Sequence, residues 1–179
     1  MRLLFIVFAF ILIGCNSDNP SFDKVIFHTS MCFGNCPVYH LELDKNKNVK
    51  LYTELTYGKN WEVDSSKMGY FEGLVSETTF EKLSFIIKTI GIDTLHFNNV
   101  LCCDGSVYTI IVYHNGKRKF LQSMTPPIKA RELIMNLYEV CRKSNLKRTN
   151  KKFKIEYAYR PAPMKVLFPS TDSVKKKDH

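Results

Sequence analysis

Apolar and polar residues alternate with a period that changes several times along the chain, and each change predicts an element. Residues 3–13 form an apolar run of about 11 residues, well short of the roughly 20 needed to cross a bilayer as a helix. After a polar spacer, residues 24–28 (KVIFH) predict a first strand. Residues 29–37 (TSMCFGNCP) read as a loop, with Gly34-Asn35 as turn residues and Pro37 fixing the entry to the next strand. Residues 38–43 (VYHLEL) alternate, so Val38, His40 and Glu42 share one face and Tyr39, Leu41 and Leu43 the other. A polar turn and a strand over 49–57 complete a hairpin, and residues 68–75 (MGYFEGLV) predict a fourth strand.

The period then lengthens. Ser76 or Thr78 can cap a helix, Thr78-x-x-Glu81 fits a capping box, and Gly91 ends it. Phe80, Leu83, Phe85, Ile86, Ile87 and Ile90 supply its apolar stripe. Residues 107–114 and 117–123 predict two strands joined by Asn115-Gly116, a strong hairpin turn. A last helix starts near Thr125, where Pro126 and Pro127 are tolerated, and carries Ile128, Leu133, Ile134, Leu137, Val140 and Cys141 at helical spacing. Residues 154–159 (KIEYAY) are compatible with one more strand. Four strands, a helix, two strands and a helix predict an α+β domain over 22–145: two layers, a mainly antiparallel sheet with both helices packed on one face.

Composition, 45% hydrophobic and 13% aromatic, is that of a folded domain. The formal charge of +9 changes meaning once it is located: residues 142–179 hold 12 Lys/Arg against 3 Asp/Glu, and the rest of the chain balances. Most of the excess therefore belongs to a basic tail, residues 146–179, expected to be extended or partly disordered around Pro161, Pro163 and Pro169. For a chain held at a cell envelope, such a tail suits an anionic envelope surface; nucleic acid is not an expected partner, and no protein partner is named by the sequence.

The envelope placement comes from the first 15 residues. Arg2, the apolar run, Leu12-Ile13-Gly14-Cys15 and then polar Asn16-Ser17-Asp18-Asn19 resemble the lipobox of bacterial lipoproteins. The resemblance implies that residues 1–14 are a signal peptide, that residues 15–21 are a spacer, and that Cys15 carries the lipid anchoring the protein to a membrane, with the outer membrane favoured and the domain periplasmic or surface-exposed.

Candidate chemistry centres on the remaining cysteines. Cys32 and Cys36 are spaced C-x3-C, unlike a thioredoxin-type C-x-x-C; Cys102 and Cys103 are adjacent before a strand; Cys141 lies on a helix stripe. In an oxidising compartment Cys32 can bridge Cys36, or either can reach Cys102 or Cys103, and because five is odd one thiol stays free or pairs between chains. With His28, His40, His96 and Asp104, Cys32, Cys36, Cys102 and Cys103 are also the available metal ligands, though the spacing matches no standard zinc module. Tyr52, Tyr57, Trp61, Tyr70 and Phe71 could stack on a sugar. No nucleophile elbow, H-E-x-x-H, P-loop or dinucleotide fingerprint is present, and no cofactor is expected. The balance favours a non-catalytic binding or envelope-associated domain. The alternative is a thiol-redox or metal-dependent protein using Cys32 and Cys36 with Cys102, Cys103 and Asp104.

Residues 32–39 (CFGNCPVY), continuing into HLEL, resemble the CFGxCPxY opening of the domain of unknown function family 6438. Gly69-Tyr70-Phe71, the capped helix, Asp104 before a strand, Asn115-Gly116 and the proline before the last helix come in the order of that family, over residues 25–141. Gly105-Ser106 stand where the family tends to place Pro after the Asp, and the Cys102-Cys103 pair is a further departure. Such domains often come after lipoprotein signals. The resemblance implies a domain and no reaction.

Overall fold

A computed structural model of the chain describes residues 21–98, 100, 104–143 and 145–157. The expectations for the signal peptide, for Cys15, for Cys102 and Cys103, and for the tail beyond residue 157 lie outside these residues.

Seven strands form one antiparallel sheet: β1 (Lys24–Thr29), β2 (Val38–Asp44), β3 (Asn48–Leu55), β4 (Gly69–Leu74), β5 (Tyr108–His114), β6 (Lys117–Ser123) and β7 (Lys147–Arg148), in the order β6-β5-β1-β2-β3-β4-β7. Two helices, α1 (Glu77–Thr89) and α2 (Arg131–Lys143), complete an α+β fold that is mostly sheet. β1 lies inside the sheet, between β5 and β2, where its five buried residues suit a strand covered on both faces. It pairs with β2 through the 30–37 loop and with β5 across most of the chain.

The main core is a single cluster of strand and helix residues. Val25, Phe27, Tyr39, Leu41, Leu43, Leu51, Ile110 and Val112 cluster with Phe80, Leu83, Ile86 and Ile87 of α1 and Leu133, Leu137 and Val140 of α2. The strand alternation read from residues 38–43 thus has Tyr39, Leu41 and Leu43 on the core side. Ser76 caps α1, its hydroxyl accepting from the Thr79 N–H at 3.2 Å, and Gly91 lies just past the helix in the left-handed region at φ 66°. Phe85 departs from expectation: it is 68% exposed. It sits two residues from Leu83, about 200° around the helix, so it cannot share that stripe. Pro126 and Pro127 precede a 3-10 turn, Ile128–Ala130, which leads into α2; Ile128 is outside the core and exposed.

The tail adds more than a predicted strand. β7 pairs with β4 through Phe71 and Glu72, covering that edge. Residues 154–157 are not a strand as expected. They run across the sheet face rather than along an edge, so the Glu156 carbonyl finds a side chain, His28 Nε2 at 2.8 Å, instead of a neighbouring strand. Phe153 meets Tyr70 edge-on, and Tyr157 does the same to His28 and His40.

Candidate functional site

Two places gather unusual side chains. The first is the end of the sheet where β1 gives way to β2. Ser30 and Thr29 hold that loop down: Ser30 N–H donates to the Val107 carbonyl at 3.1 Å, Ser106 donates to the Ser30 carbonyl at 2.7 Å, and Thr29 Oγ1 donates to the Pro37 carbonyl at 2.8 Å. Cys32 and Cys36 are joined by a disulfide across Cα atoms 5.6 Å apart. Phe33 between them donates its N–H to the Asp104 carbonyl at 3.0 Å, yet its ring is 90% exposed. A clamped loop thus presents a bare aromatic ring, with exposed Met31 beside it in sequence.

The neighbouring loop turns between Tyr57 and Val63, which form an isolated bridge. Gly58 N–H donates to the Glu62 carbonyl at 2.8 Å and Trp61 N–H to the Gly58 carbonyl at 3.2 Å. This turn puts Trp61 at φ 61°, a region that bulky residues rarely occupy, and leaves it 69% exposed. Asp64 accepts from Ser66 and binds Lys67 at 2.9 Å; those two partners, Ser66 first, hold its carboxyl below the usual range. A cleft of about 370 Å³ opens between the two loops, lined by Asn35, Thr56, Lys59, Trp61, Lys67 and Arg142 among others.

The second place is the sheet face crossed by residues 153–157. His28 and His40 sit opposite each other on β1 and β2, with Nδ1 atoms 2.9 Å apart. A carbonyl only accepts, so His28 donates from Nε2 to Glu156 and its Nδ1 accepts from His40. His40 Nε2 lies 3.1 Å from Glu54 Oε2. Burial pushes His28 down from 6.5 to about 4, the Glu156 carbonyl working the other way and His40 adding to the depression. Tyr52 stacks between His40 and Tyr70, at 5.6 and 4.6 Å. Glu156 binds Tyr113 Oη at 2.6 Å and Arg118 at 2.9 Å; burial opposes its ionisation, but these partners keep it below the usual carboxylate range. A cavity of about 380 Å³ lies against His40, Tyr52, Glu54, Phe153, Ile155 and Tyr157. Those residues can exchange protons, but they include no Ser, Cys or Lys to attack a substrate.

The cysteine and histidine sets therefore separate. Cys32 and Cys36 are bonded to each other, and Asp104 meets their loop through its backbone. Cys141 is a free thiol packed against the core, its pKa pushed well up by burial, which makes it a poor nucleophile. Among the described residues no three His, Cys, Asp or Glu side chains converge as a metal set. The aromatic group also divides: Tyr57 and Trp61 line the end cleft, Tyr52 and Tyr70 lie under residues 153–157, and Phe71 packs against the core with Arg148 over its ring. The His28–His40 pair was not legible as a site, although two histidines placed symmetrically about one loop are the signal that could have revealed it. Lys59 carried no signal at all.

The family model for a domain of unknown function, DUF6438, matches residues 23–143, a span that includes the clamped CFGNC loop leading into β2, the capped α1, the Asn-Gly hairpin and α2. The chain belongs to the DUF6438 family. The match runs from the start of β1 to the end of α2, so β7 and residues 149–157 extend the DUF6438 domain beyond it. No curated protein matches the chain. Among the described residues no helix is long and apolar enough to cross a membrane.

Proposed function

We propose that this DUF6438 protein is a lipid-tethered, non-catalytic binding domain of the bacterial envelope, held by an acylated Cys15 and contacting its partner through the Phe33 and Trp61 loops. The observation that carries the reading is the position of those loops relative to the start of the domain. The chain enters at the opposite end of β1, where Asp23 N–H donates to the Tyr113 carbonyl at 2.7 Å and Lys45 N–H to the Asp23 carbonyl at 2.8 Å. Six residues of extended strand separate that foot from the tip by roughly 20 Å. A tether at Cys15 leaves the exposed aromatics facing away from the anchoring membrane.

The layering supports the same picture. We read the two helices as a single layer on the core side and residues 149–157 as the cover of the other face. That arrangement leaves the loop ends, not the sheet faces, for binding. The basic residues beyond α2 supply a second, electrostatic contact with an anionic envelope surface.

Two measurements test the proposal. Cys15→Ala should leave an unprocessed precursor without lipid, and normal processing of that variant would remove the anchor. The full chain in detergent should sediment with purified cell-wall sacculi, and a Phe33→Ser, Trp61→Gly double variant should lose roughly tenfold in retention while melting as before. Unchanged retention would refute the tip as the binding end, and retention insensitive to salt would count against the basic tail. A thiol-redox role for Cys32 and Cys36 would instead show as loss of activity with no loss of binding when both are replaced by Ser.

A further inference from the structure

We propose that the cleft between the Cys32–Cys36 loop and the Trp61 turn is a binding site for an anionic saccharide, Trp61 stacking on a sugar ring and Lys59, Lys67 and Arg142 facing its acidic group. The inference rests on the tip being the binding end and names what it binds.

Three observations converge. The first is backbone strain without local compensation. Trp61 occupies the left-handed region at φ 61°, where Gly or Asn would sit at little cost, and its indole is 69% exposed. Burial within the domain does not offset that cost, so the ring is placed for contact outside it.

The second is charge. Lys59, Lys67 and Arg142 line the cleft, and its lining residues include no carboxylate. Lys67 is held by Asp64 at 2.9 Å and Arg142 sits over the Tyr138 ring at 4.9 Å. Lys59 has no ion-pair partner among the described residues. A cavity with this balance favours an anion.

The third is the remaining lining. Asn35 and Thr56 offer an amide and a hydroxyl, and Tyr57 continues the aromatic wall. A bare phosphate needs cations and N–H donors but gains nothing from an indole face. A polyhydroxylated ring has an apolar C–H face for the indole, hydroxyls for Asn35 and Thr56, and an acidic substituent for the cations. The volume, about 370 Å³, is at the lower end of small-ligand sites, which suits one or two sugar rings.

Trp61 is the only tryptophan in the chain, so its emission reports on the cleft directly. The full chain in detergent is titrated with trigalacturonic acid, maltotriose and inorganic phosphate. The expected result is a saturable change in Trp61 emission with trigalacturonic acid, weakened by salt, and at least roughly tenfold tighter than with either other probe. Lys59→Ala should weaken it roughly fivefold. By calorimetry, Trp61→Gly should abolish binding while the protein melts at the same or a higher temperature, because glycine relieves the strain. A merely structural role for Trp61 would lower the melting temperature instead. The proposal is overturned by no saturable response up to about 10 mM trigalacturonic acid, by equal affinity for maltotriose, or by equal affinity for phosphate. Sacculus retention that still depends on Phe33 and Trp61 in any of those cases would leave the tip as a binding end and remove only the acidic saccharide.

Discussion

Acid should weaken this fold through His28. Its side chain lies under residues 153–157, 2% exposed, between the His40 ring and the Glu156 carbonyl, with Tyr157 edge-on at 4.9 Å and Thr109 opposite it on β5. Burial makes its charged form costly, so the folded protein takes up the proton near 4 rather than 6.5. In the unfolded chain the same imidazole is protonated below about 6.5. Between those values the unfolded state binds more protons, and stability falls as pH falls. Relative to pH 7, the loss through His28 alone is about 2 kcal/mol at pH 5 and about 3 kcal/mol at pH 4, at roughly 1.4 kcal/mol per tenfold change in protonation. Urea unfolding at pH 7, 6, 5 and 4 measures it. His28→Gln is the control, since a glutamine amide can still donate to the Glu156 carbonyl and accept from His40 without titrating. Glu156 and Asp64, whose carboxyls are held low, add their own acid losses to both proteins. The His28→Gln protein should start less stable at pH 7 and lose about 3 kcal/mol less by pH 4. Parallel stability profiles for the two proteins would refute the reasoning.

Ending the chain at Arg148 removes the cover from His28, and its NMR-detected titration should return toward 6.5 from about 4; an unmoved titration would show that residues 149–157 do not bury it. Cys32→Ser with Cys36→Ser should cost about 2 kcal/mol of unfolding free energy in urea, because the bridge closes only a short loop of sequence separation 4, and the difference should vanish when the parent is measured in reductant. Leu83→Ala, at 1% exposure, should cost about 3 kcal/mol, whereas Phe85→Lys, two residues away and 68% exposed, should change stability by under about 0.5 kcal/mol; equal losses would mean that the helix faces are misassigned.

The elements were legible because each depends on neighbours close in sequence. Alternation marked β2, Asn115-Gly116 the hairpin of β5 and β6, and Ser76 and Gly91 the ends of α1, since side-chain direction, turn sterics and capping bonds are local matters. The clamped loop was visible as C-x3-C with turn residues inside it, although the choice of Cys36 over Cys102 or Cys103 as partner of Cys32 needed three dimensions. Strand order was not local. β1 pairs with β5 only after the chain has made three other strands and a helix, and that pairing depends on which apolar faces can be buried together. The fate of residues 149–157 was hidden for a related reason. Their alternation suits a strand, but the sheet face bearing His28, His40, Tyr52 and Tyr70 holds them by side-chain contacts that no local pattern encodes. Likewise the cleft cations come from residues 59, 67 and 142, remote in the chain and joined only by the fold. By itself the sequence determined most of the elements, the family and the lipobox-like start, because those are written in short-range spacing. Tertiary structure decided which residues stand together at the tip and under the tail, because burial, charge and hydrogen bonding at those places act between segments that meet only after folding.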